Sequence, residues 1–398
     1  MRGPKNCTPR KEKVLNMSDW RIPLSDLNFG PEEEAALLRV LHSRWLSMGP
    51  EVQRFEQEFA TFIGVKHAFA VANGTAALHL AYLALGLGTG DEIIQPAINF
   101  VAAANMTAAV GARPVFADIL ALDEPTIDPG DLEKRLTPRT KALVVMHYGG
   151  YLCRMAELVD FCRRHGLSLI EDACHAVGTG YVEATGRAPN GLKAGAIGDV
   201  AAFSFFSNKN LATGEGGMIT TNRDDLASRI RLLRSHGMTT LTWDRHKGHA
   251  SAYDAVLHGY NYRFNELGAA LGRCQLARLE SGNQRRGEWV RLYRKGLASL
   301  RDWIIPFAAY SGESAYHLMV VVAPSEAART EMVKRLNAAR IQTSRHYPCL
   351  PSLSSLKPFR TPGLDRSDAF AQRIITLPLF PTMTSAQIHE ICDAMVAG

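Results

Sequence analysis

The chain has no Gly-x-Gly-x-x-Gly fingerprint and no phosphate-binding Walker loop. The glycines at 86, 88 and 90 have the wrong spacing for the fingerprint and indicate a turn after a helix. A nicotinamide-dependent oxidoreductase and a P-loop enzyme are therefore unsupported. No run of residues approaches the roughly 18 to 20 apolar residues of a membrane-spanning helix, so the sequence predicts no membrane partner.

The cysteines form no pattern either. There are seven, an odd number, they are scattered, and no Cys-x-x-Cys occurs. This argues against a zinc site and against a disulfide framework, so we predict no bound metal. It also predicts a reducing, cytoplasmic location.

Positive charge is concentrated at the amino terminus. The net charge is +6, of which residues 1–16 carry +4. The rest of the chain carries a net charge of only +2. A nucleic-acid-binding protein would need a clustered basic face, so no nucleic-acid partner is expected. Residues 1–18 are polar and contain Pro4 and Pro9. They predict a disordered basic tail, native or left by an upstream start site, rather than a signal peptide.

What the chain does have is a regular alternation of apolar strands and helical patterns. Two helical patterns, at about 31–43 and 50–63, precede the first strand. The predicted strands lie near 66–71, 92–95, 114–118, 141–146, 168–171, 199–205 and 217–221. Helical patterns separate most of these strands, which is the rhythm of βαβ units. The sequence therefore predicts an α/β fold with a mostly parallel sheet.

The length predicts two domains. A chain of 398 residues that is 46% hydrophobic can bury a large core. We assign residues 19–262 to a large domain and residues 263–398 to linking helices and a smaller C-terminal domain. Two helical patterns are predicted in succession from Arg263 to about Leu300. A strand at Leu318–Val322 and a helix at Glu326–Ala338 then indicate a small α/β unit.

Lys209 is the first candidate for chemistry. It follows an apolar strand and lies in a turn of small and polar residues, within the stretch Phe203–Gly217. A lysine amine that is partly desolvated can condense with an aldehyde to form a Schiff base. Most lysines are solvated surface charges, so the interpretation depends on the residues upstream.

Asp172 ends the apolar run Leu167-Ser-Leu-Ile-Glu-Asp172. Open α/β sheets place their ligand chemistry at the carboxyl ends of such strands. Together with a Schiff-base lysine, this carboxylate could face the ring nitrogen of pyridoxal phosphate, which needs an anion there to stay protonated. Without that role it would be a helix cap or an arginine partner. His175 could lie against the same ring or could be a packed core histidine.

Two strand ends add an anion site and an aromatic face. Asn73-Gly74-Thr75 breaks a strand and leads directly into a helix, whose free amides and dipole can bind a phosphate. The same tripeptide is also common as a plain helix cap. Phe100 follows the next strand and could cover one face of a planar ring, or belong to the core.

Together these pieces resemble the nucleotide-sugar aminotransferases of the DegT/StrS group, which are pyridoxal-phosphate enzymes of fold type I. The resemblance extends from about Leu24 to the C-terminus. Its markers are Trp45-Leu-Ser-Met-Gly49-Pro50, Asn73-Gly74-Thr75, Glu171-Asp172-Ala173, Phe203-Ser204-Phe205, Lys209-Asn210, Gly214-Glu-Gly-Gly217, His236-Gly237, Gly259-Tyr-Asn261-Tyr-Arg263 and His346-Tyr-Pro348. It implies a large αβα domain with a mostly parallel seven-stranded sheet and a smaller C-terminal α/β domain.

The resemblance assigns roles to five residues at the cofactor. Lys209 resembles the lysine that forms the aldimine with pyridoxal 5′-phosphate, and Asp172 resembles the partner of the pyridine nitrogen. Gly74, Thr75 and Ser204 resemble the phosphate ligands.

Further roles concern the ring, the neighbouring subunit and the substrate. Phe100 resembles the aromatic that stacks on the ring, and His175 is a further cofactor candidate. Asn261 resembles the asparagine that reaches the cofactor phosphate of the neighbouring subunit, which implies a homodimer with shared active sites. The substrate candidates are Arg263, His346 and Tyr347.

The implied activity is transfer of an amino group from L-glutamate to a keto-sugar nucleotide, by ping-pong transamination. The run Thr213-Gly-Glu-Gly-Gly217 is more similar to relatives that act on 4-keto-6-deoxy sugars than to those that act on 3-keto sugars. A 3-keto-sugar or cyclitol aminotransferase and a non-catalytic binding protein of the same fold remain alternatives. Two residues depart from the usual pattern. His175 stands where glutamine is more usual, and Phe206 where histidine or tyrosine is common. Lys209 itself argues against the sugar 3-dehydratase branch, which has histidine at that position.

Overall fold

The computed structural model describes residues 20–181, 191–240 and 252–397; the predicted tail at residues 1–18 lies outside these ranges. The helices are α1 (Pro31–Ser43), α2 (Pro50–Ile63), α3 (Gly74–Ala84), α4 (Ala102–Ala109), α5 (Pro129–Leu132), α6 (Met155–His165), α7 (Asp224–Leu233), α8 (Glu266–Gly296), α9 (Glu326–Ala338), α10 (Asp365–Arg373) and α11 (Ser385–Val396). The strands are β1 (His67–Val71), β2 (Glu92–Pro96), β3 (Arg113–Ala117), β4 (Thr140–Met146), β5 (Ser168–Asp172), β6 (Val200–Ser204), β7 (Gly217–Thr221), β8 (Met319–Val322) and β9 (Ile374–Leu377).

The first seven strands form one sheet in the order β1-β7-β6-β5-β4-β2-β3. Strand β7 runs antiparallel to both of its neighbours, β1 and β6, and the other pairs are parallel. The predicted mostly parallel sheet of seven strands is therefore confirmed. Each predicted strand in it agrees with the observed bounds to within one residue.

Helices cover both faces of this sheet because its strands are apolar on both sides. In β4, Ala142 and Val144 face the layer of α3 and α7, whereas Leu143 and Val145 face the layer of α2 and α6. Such strands appear in the sequence as continuous apolar runs rather than as alternating patterns. The result is an αβα sandwich.

Local sequence signals set the helix ends that matter for the site. Helix α2 begins with Pro50 at its first position and ends at Gly64, whose φ of 85° lies in the left-handed region. Helix α3 begins at Gly74, shortly after β1 ends at Val71, and Asn73 caps its first turn. The start of α3 therefore lies at the carboxyl end of β1.

The two successive helical patterns predicted after Arg263 are wrong. The structure has one continuous helix, α8, of 31 residues. Two of its internal glycines are packing positions: a Cβ on Gly272 would lie 2.6 Å from the Phe55 ring, and one on Gly287 would lie 2.8 Å from the Tyr316 ring. Aromatic rings from other elements fill the space that these glycines leave, so the helix continues through them.

The C-terminal part builds its own apolar cluster on the far end of α8. Strands β8 and β9 pair antiparallel. Tyr293 of α8 packs in one cluster with Leu336, Ile375 and Ile388. This agrees with the expected small α/β unit, although the boundary at residue 263 stays a prediction. Among the described residues, no helix combines the length and the apolar character needed to cross a membrane.

Candidate active site

One cavity contains most of the residues that the sequence identifies. Its volume is about 410 Å³, and its walls come from the loops at the carboxyl edge of the large sheet. Nine of the eleven predicted site residues line it: Gly74, Thr75, Phe100, Asp172, His175, Ser204, Lys209, His346 and Tyr347. Another cavity, of about 590 Å³, is lined by none of them. The candidate chemistry is therefore in the smaller cavity.

Lys209 lies in the turn that follows β6. Its backbone N–H donates to the Phe206 carbonyl at 2.8 Å, and the residue is half-buried. Burial lowers the pKa of the Lys209 amine below its ordinary value, although Cys174 and Asp172 oppose this shift. A less basic amine is more often neutral, and the neutral form is the one that attacks a carbonyl or accepts a proton.

Asp172 ends β5, which has a parallel neighbour on each side. It is 4% exposed, and its carboxylate accepts hydrogen bonds from Asn99 Nδ2 and from the Cys174 backbone N–H, each at 3.3 Å. A buried carboxylate in a cavity wall stabilises a cation bound beside it. Asn99 is not among the site residues predicted from the sequence. Its place after β2, at the same edge of the sheet as Asp172, was the available signal.

Glu171, the residue before Asp172, supports the strand end from the opposite face. It is fully buried and accepts hydrogen bonds from His147 Nε2 at 2.9 Å and from three backbone N–H groups in residues 195–198 at 2.6–2.9 Å. Burial acts to raise the pKa of Glu171, but His147 and these N–H groups hold it below its ordinary value. Adjacent acids therefore differ in role: Glu171 joins chain segments, and Asp172 faces the cavity.

The first turn of α3 faces Ser204 at the end of β6. Asn73 Oδ1 accepts the Ala76 N–H at 2.8 Å and so caps the helix. The N–H groups of Gly74 and Thr75 lie in the first turn, where a helix offers no carbonyl to accept from them. With the helix dipole they make this corner of the cavity suitable for an anion.

The close approach of α3 to β6 requires glycine at position 74. A Cβ there would lie 2.9 Å from Ser204 Cβ and 3.3 Å from both Ser204 Cα and Cys174 Sγ. We expect Gly74→Ala to lower the free energy of unfolding by about 1–3 kcal/mol, because the backbone of β6 cannot yield. Urea unfolding of the apo protein measures this effect.

Gly282→Ala is the matched control for that measurement. Gly282 lies inside α8, and within 4 Å a Cβ would meet only Pro381 Cγ, at 3.8 Å. We expect this variant to gain up to about 1 kcal/mol from its higher helix propensity. Unchanged stability in Gly74→Ala would contradict the close approach of α3 to β6.

Aromatic side chains and the C-terminal part form the remaining wall. Phe100 is 53% exposed, and its ring centroid lies 5.9 Å from that of Tyr347. His346 Nδ1 lies 3.0 Å from Thr376 Oγ1 in β9, which fixes the segment that carries both His346 and Tyr347. The small C-terminal unit thereby contributes to the cavity.

Three histidines near the cavity are held neutral. Burial and the positive charge of Lys209 lower the pKa of His346 to about 4, and the pKa values of His175 and His317 lie well below the ordinary value for the same reasons and through their mutual proximity. Below pH 6.5 the unfolded chain binds protons that the folded chain does not. Stability contributed by these rings is therefore present at pH 7 and is lost as the pH falls toward 4.

We expect apo-protein stability to decrease between pH 7 and pH 4, with His346 alone contributing up to about 3 kcal/mol. Urea unfolding at several pH values measures this, and His346→Gln should flatten the dependence in part, since His175 and His317 remain. His389→Gln, a change at an exposed position of α11, should leave the dependence as it is in the wild type. Identical pH dependence in wild type and His346→Gln would show that His346 is not the group responsible.

Two predicted residues do not line the cavity. Asn261 is exposed, and its backbone forms an isolated bridge with Ser235. Arg263 is half-buried, and its Nη1 donates to Ser235 Oγ at 3.1 Å. Their roles stay predictions.

Comparison with known proteins agrees with this geometry. The model of the DegT/DnrJ/EryC1/StrS aminotransferase family matches residues 28–396. The spore coat polysaccharide biosynthesis protein SpsC of Bacillus subtilis (strain 168) is 40% identical over 384 residues, which cover 94% of this chain and 96% of SpsC.

Solved structures show the same fold. PseC of Helicobacter pylori, an aminotransferase involved in the biosynthesis of pseudoaminic acid, has a TM-score of 0.87 and 28% identity, and the match covers 94% of this chain and 98% of PseC. Spr1654 of Streptococcus pneumoniae in its PLP form has a TM-score of 0.84 and 27% identity, with coverage of 94% and 98%. The predicted fold class, α/β of fold type I, and the prediction of an aminotransferase enzyme are confirmed. The chain belongs to the DegT/DnrJ/EryC1/StrS aminotransferase family.

Proposed function

We propose that this chain uses pyridoxal 5′-phosphate to transfer an amino group from L-glutamate to a keto-sugar nucleotide, of the 4-keto-6-deoxy type. The observation that carries the proposal is the presence of Lys209 and Asp172 in one cavity with an anion-binding helix N-terminus. The roles of SpsC in polysaccharide biosynthesis and of PseC in pseudoaminic acid biosynthesis support a sugar as acceptor. The 4-keto-6-deoxy assignment rests on the Thr213–Gly217 run.

The residues present fit pyridoxal phosphate. Asn208 Oδ1 is buried in the cavity wall and has no hydrogen-bond partner in the described part of the chain, so it offers an acceptor to a ligand. The narrow gap between Gly74 and Ser204 brings two backbone N–H groups and a hydroxyl to one corner. Gly74, Thr75 and Ser204 would hold the phosphate, and Phe100 would cover the ring.

Bound pyridoxal phosphate supplies an aldehyde that captures amines and a ring that withdraws electrons from the neighbouring carbon. Lys209 would anchor it and, once displaced by the donor amine, move a proton to and from the substrate carbon; its lowered pKa suits a general base. Asp172 would keep a proton on the ring nitrogen through its buried negative charge. His346, Tyr347 and Arg263 are the proposed substrate contacts.

We also propose a homodimer in which Asn261 reaches the phosphate site of the neighbouring subunit. The segment before Asn261 exposes large apolar side chains, Tyr253 at 56%, Val256 at 55% and Tyr260 at 37%. Exposed apolar side chains in one segment are typical of a protein–protein contact. The six cysteines in the described ranges are free, which agrees with the proposed cytoplasmic location.

Transfer of ¹⁵N tests the proposed function. The purified protein is incubated with pyridoxal phosphate, ¹⁵N-labelled L-glutamate and a panel of 3-keto and 4-keto sugar nucleotides, and the products are analysed by mass spectrometry. We expect 2-oxoglutarate and a ¹⁵N-amino sugar nucleotide from a 4-keto-6-deoxy member of the panel. Transfer only to 3-keto members would overturn the 4-keto assignment, and no transfer from a protein that binds the cofactor would overturn the aminotransfer.

A further inference from the structure

A chain of buried and half-buried polar side chains leads from α8 to the cavity and ends at the Tyr347 hydroxyl. Asn283 of α8 binds Asn210, Asn210 binds His317, the His317 ring packs on His175, and His175 binds Tyr347. The hydrogen bonds in this chain are 2.7–2.9 Å long, and the two histidine ring centroids are 4.3 Å apart. We call these five residues the relay.

The donors and acceptors around Asn210 fix the direction of the hydrogen bonds in the first half of the relay. Asn210 Nδ2 donates to Asn283 Oδ1 at 2.7 Å and to the Ala315 carbonyl at 2.6 Å, so both of its amide protons are used. Asn210 Oδ1 is therefore an acceptor, and His317 Nδ1, 2.9 Å away, carries the proton. His317 is held in one tautomer.

The groups around His175 likewise determine which of its ring nitrogens carries the proton. The Gly149 backbone N–H can only donate, and it points at His175 Nδ1 at 3.4 Å. His175 is 2% exposed, and burial together with Lys209 lowers its pKa well below the ordinary value, so the ring is neutral. A neutral ring with an acceptor at Nδ1 carries its proton on Nε2. His175 therefore donates to Tyr347 Oη at 2.9 Å.

The Tyr347 proton is consequently free to point elsewhere. Burial raises the pKa of the Tyr347 hydroxyl well above its ordinary value, so it stays protonated. Its oxygen accepts from His175, and the described residues offer its proton no other acceptor within hydrogen-bonding distance. Tyr347 lines the cavity beside Phe100 and Asp172.

We propose that Tyr347 donates a hydrogen bond to an electron-rich oxygen bound in the cavity, and that His175 is a positioning residue that holds Tyr347 as this donor. The inference rests on the proposed function, because that oxygen belongs either to the cofactor ring or to the sugar. A donor aimed at an oxygen that gains negative charge stabilises the transition state, and losing one such donor costs about 10²- to 10³-fold in rate. His175 then acts on the ligand through Tyr347, while its direct contact with the cofactor stays a prediction.

Three variants test the relay. Tyr347→Phe removes the donor, His175→Leu removes its support, and His175→Gln keeps a donor for Tyr347 Oη. We measure the Kd for pyridoxal phosphate, the pH midpoint of the bound cofactor's absorbance change, and kcat and KM for each half-reaction. Tyr293→Phe is the control, since it removes a hydroxyl that donates to the Pro378 carbonyl far from the cavity.

Two patterns support the proposal and identify the oxygen. If it belongs to the cofactor, Tyr347→Phe and His175→Leu shift the pH midpoint and raise the Kd for pyridoxal phosphate without any sugar present. If it belongs to the sugar, both quantities stay constant and kcat/KM for the sugar falls by about 10²-fold or more. In either pattern the double variant Tyr347→Phe/His175→Leu loses no more than the worse single variant, and His175→Gln restores most of the loss.

Two other outcomes would overturn the proposed roles of Tyr347 and His175. Normal values for Tyr347→Phe in every measurement would show that the hydroxyl donates to no ligand. A large loss in His175→Leu that adds to that of Tyr347→Phe would show that His175 does not act through Tyr347. Both results require a wild-type protein that binds the cofactor and transfers nitrogen, so failure of the proposed function is seen separately in the wild type.

Discussion

Lys209→Ala is expected to lower the rate of amino transfer by about 10⁴-fold or more, because it removes both the proposed anchor for the cofactor and the proposed proton carrier. Borohydride treatment followed by peptide mass mapping should find pyridoxyl phosphate on the peptide with Lys209 in the wild type and on no peptide of the variant. The variant should keep its fold, because the half-buried Lys209 side chain forms no ion pair within the described ranges.

Lys193→Ala is the matched control for Lys209→Ala. Lys193 is also a partly buried lysine, but its Nζ donates to the Phe62 carbonyl at 2.9 Å and lies outside the cavity. We expect normal transfer and normal labelling of Lys209 in this variant. Added methylamine should restore part of the activity of Lys209→Ala. A fully active Lys209→Ala protein, or borohydride labelling at another lysine, would refute the role of Lys209.

The second large effect is expected at Asp172. Asp172→Asn removes the negative charge and leaves the shape of the side chain, and an amide oxygen can still accept from Asn99 Nδ2. We expect the transfer rate to fall by about 10²- to 10³-fold, because in the proposed role Asp172 is the anion that keeps the ring nitrogen protonated. Lys209 should still be labelled by borohydride. Stopped-flow absorbance of the glutamate half-reaction measures the loss directly.

Asp199→Asn provides the comparison for Asp172. Asp199 is also a carboxylate bonded to backbone, accepting the Leu169 N–H at 2.9 Å and pairing with Arg223 outside the cavity. Its replacement should affect stability and leave the rate of the glutamate half-reaction nearly unchanged. Equal losses of rate in Asp172→Asn and Asp199→Asn would mean that Asp172 acts only through the fold.

The strands were readable from the sequence because each is a short apolar run bounded by polar or glycine-containing turns. The same reasoning failed at α8, where Gly272 and Gly287 interrupt the helical pattern. Their structural reason lies in Phe55 and Tyr316, which are distant in sequence and pack against the missing side chains. A pattern within one segment cannot show which ring from another element fills that space.

The candidate site likewise combines residues that could be predicted from one segment with contacts that depend on distant segments. Lys209, Asp172 and Gly74 could be identified as candidates because each lies at or just beyond the carboxyl end of a strand, and the carboxyl ends of parallel strands meet at one edge of a sheet. His175 was an open question between the cofactor ring and the core, and the structure adds a hydrogen bond to Tyr347, a residue 172 positions away. Asn99 was missed because its hydrogen bond joins the loop after β2 to Asp172 at the end of β5, a residue 73 positions away.

The sequence by itself determined the α/β class and the family and pointed to the candidate residues for the chemistry, since these depend on local periodicity and on short motifs. Only the tertiary structure decided the strand order, the continuity of α8 and the direction of each hydrogen bond in the relay. Those features depend on which segments meet after folding, and a hydrogen-bond direction is fixed only when every donor and acceptor around it is known.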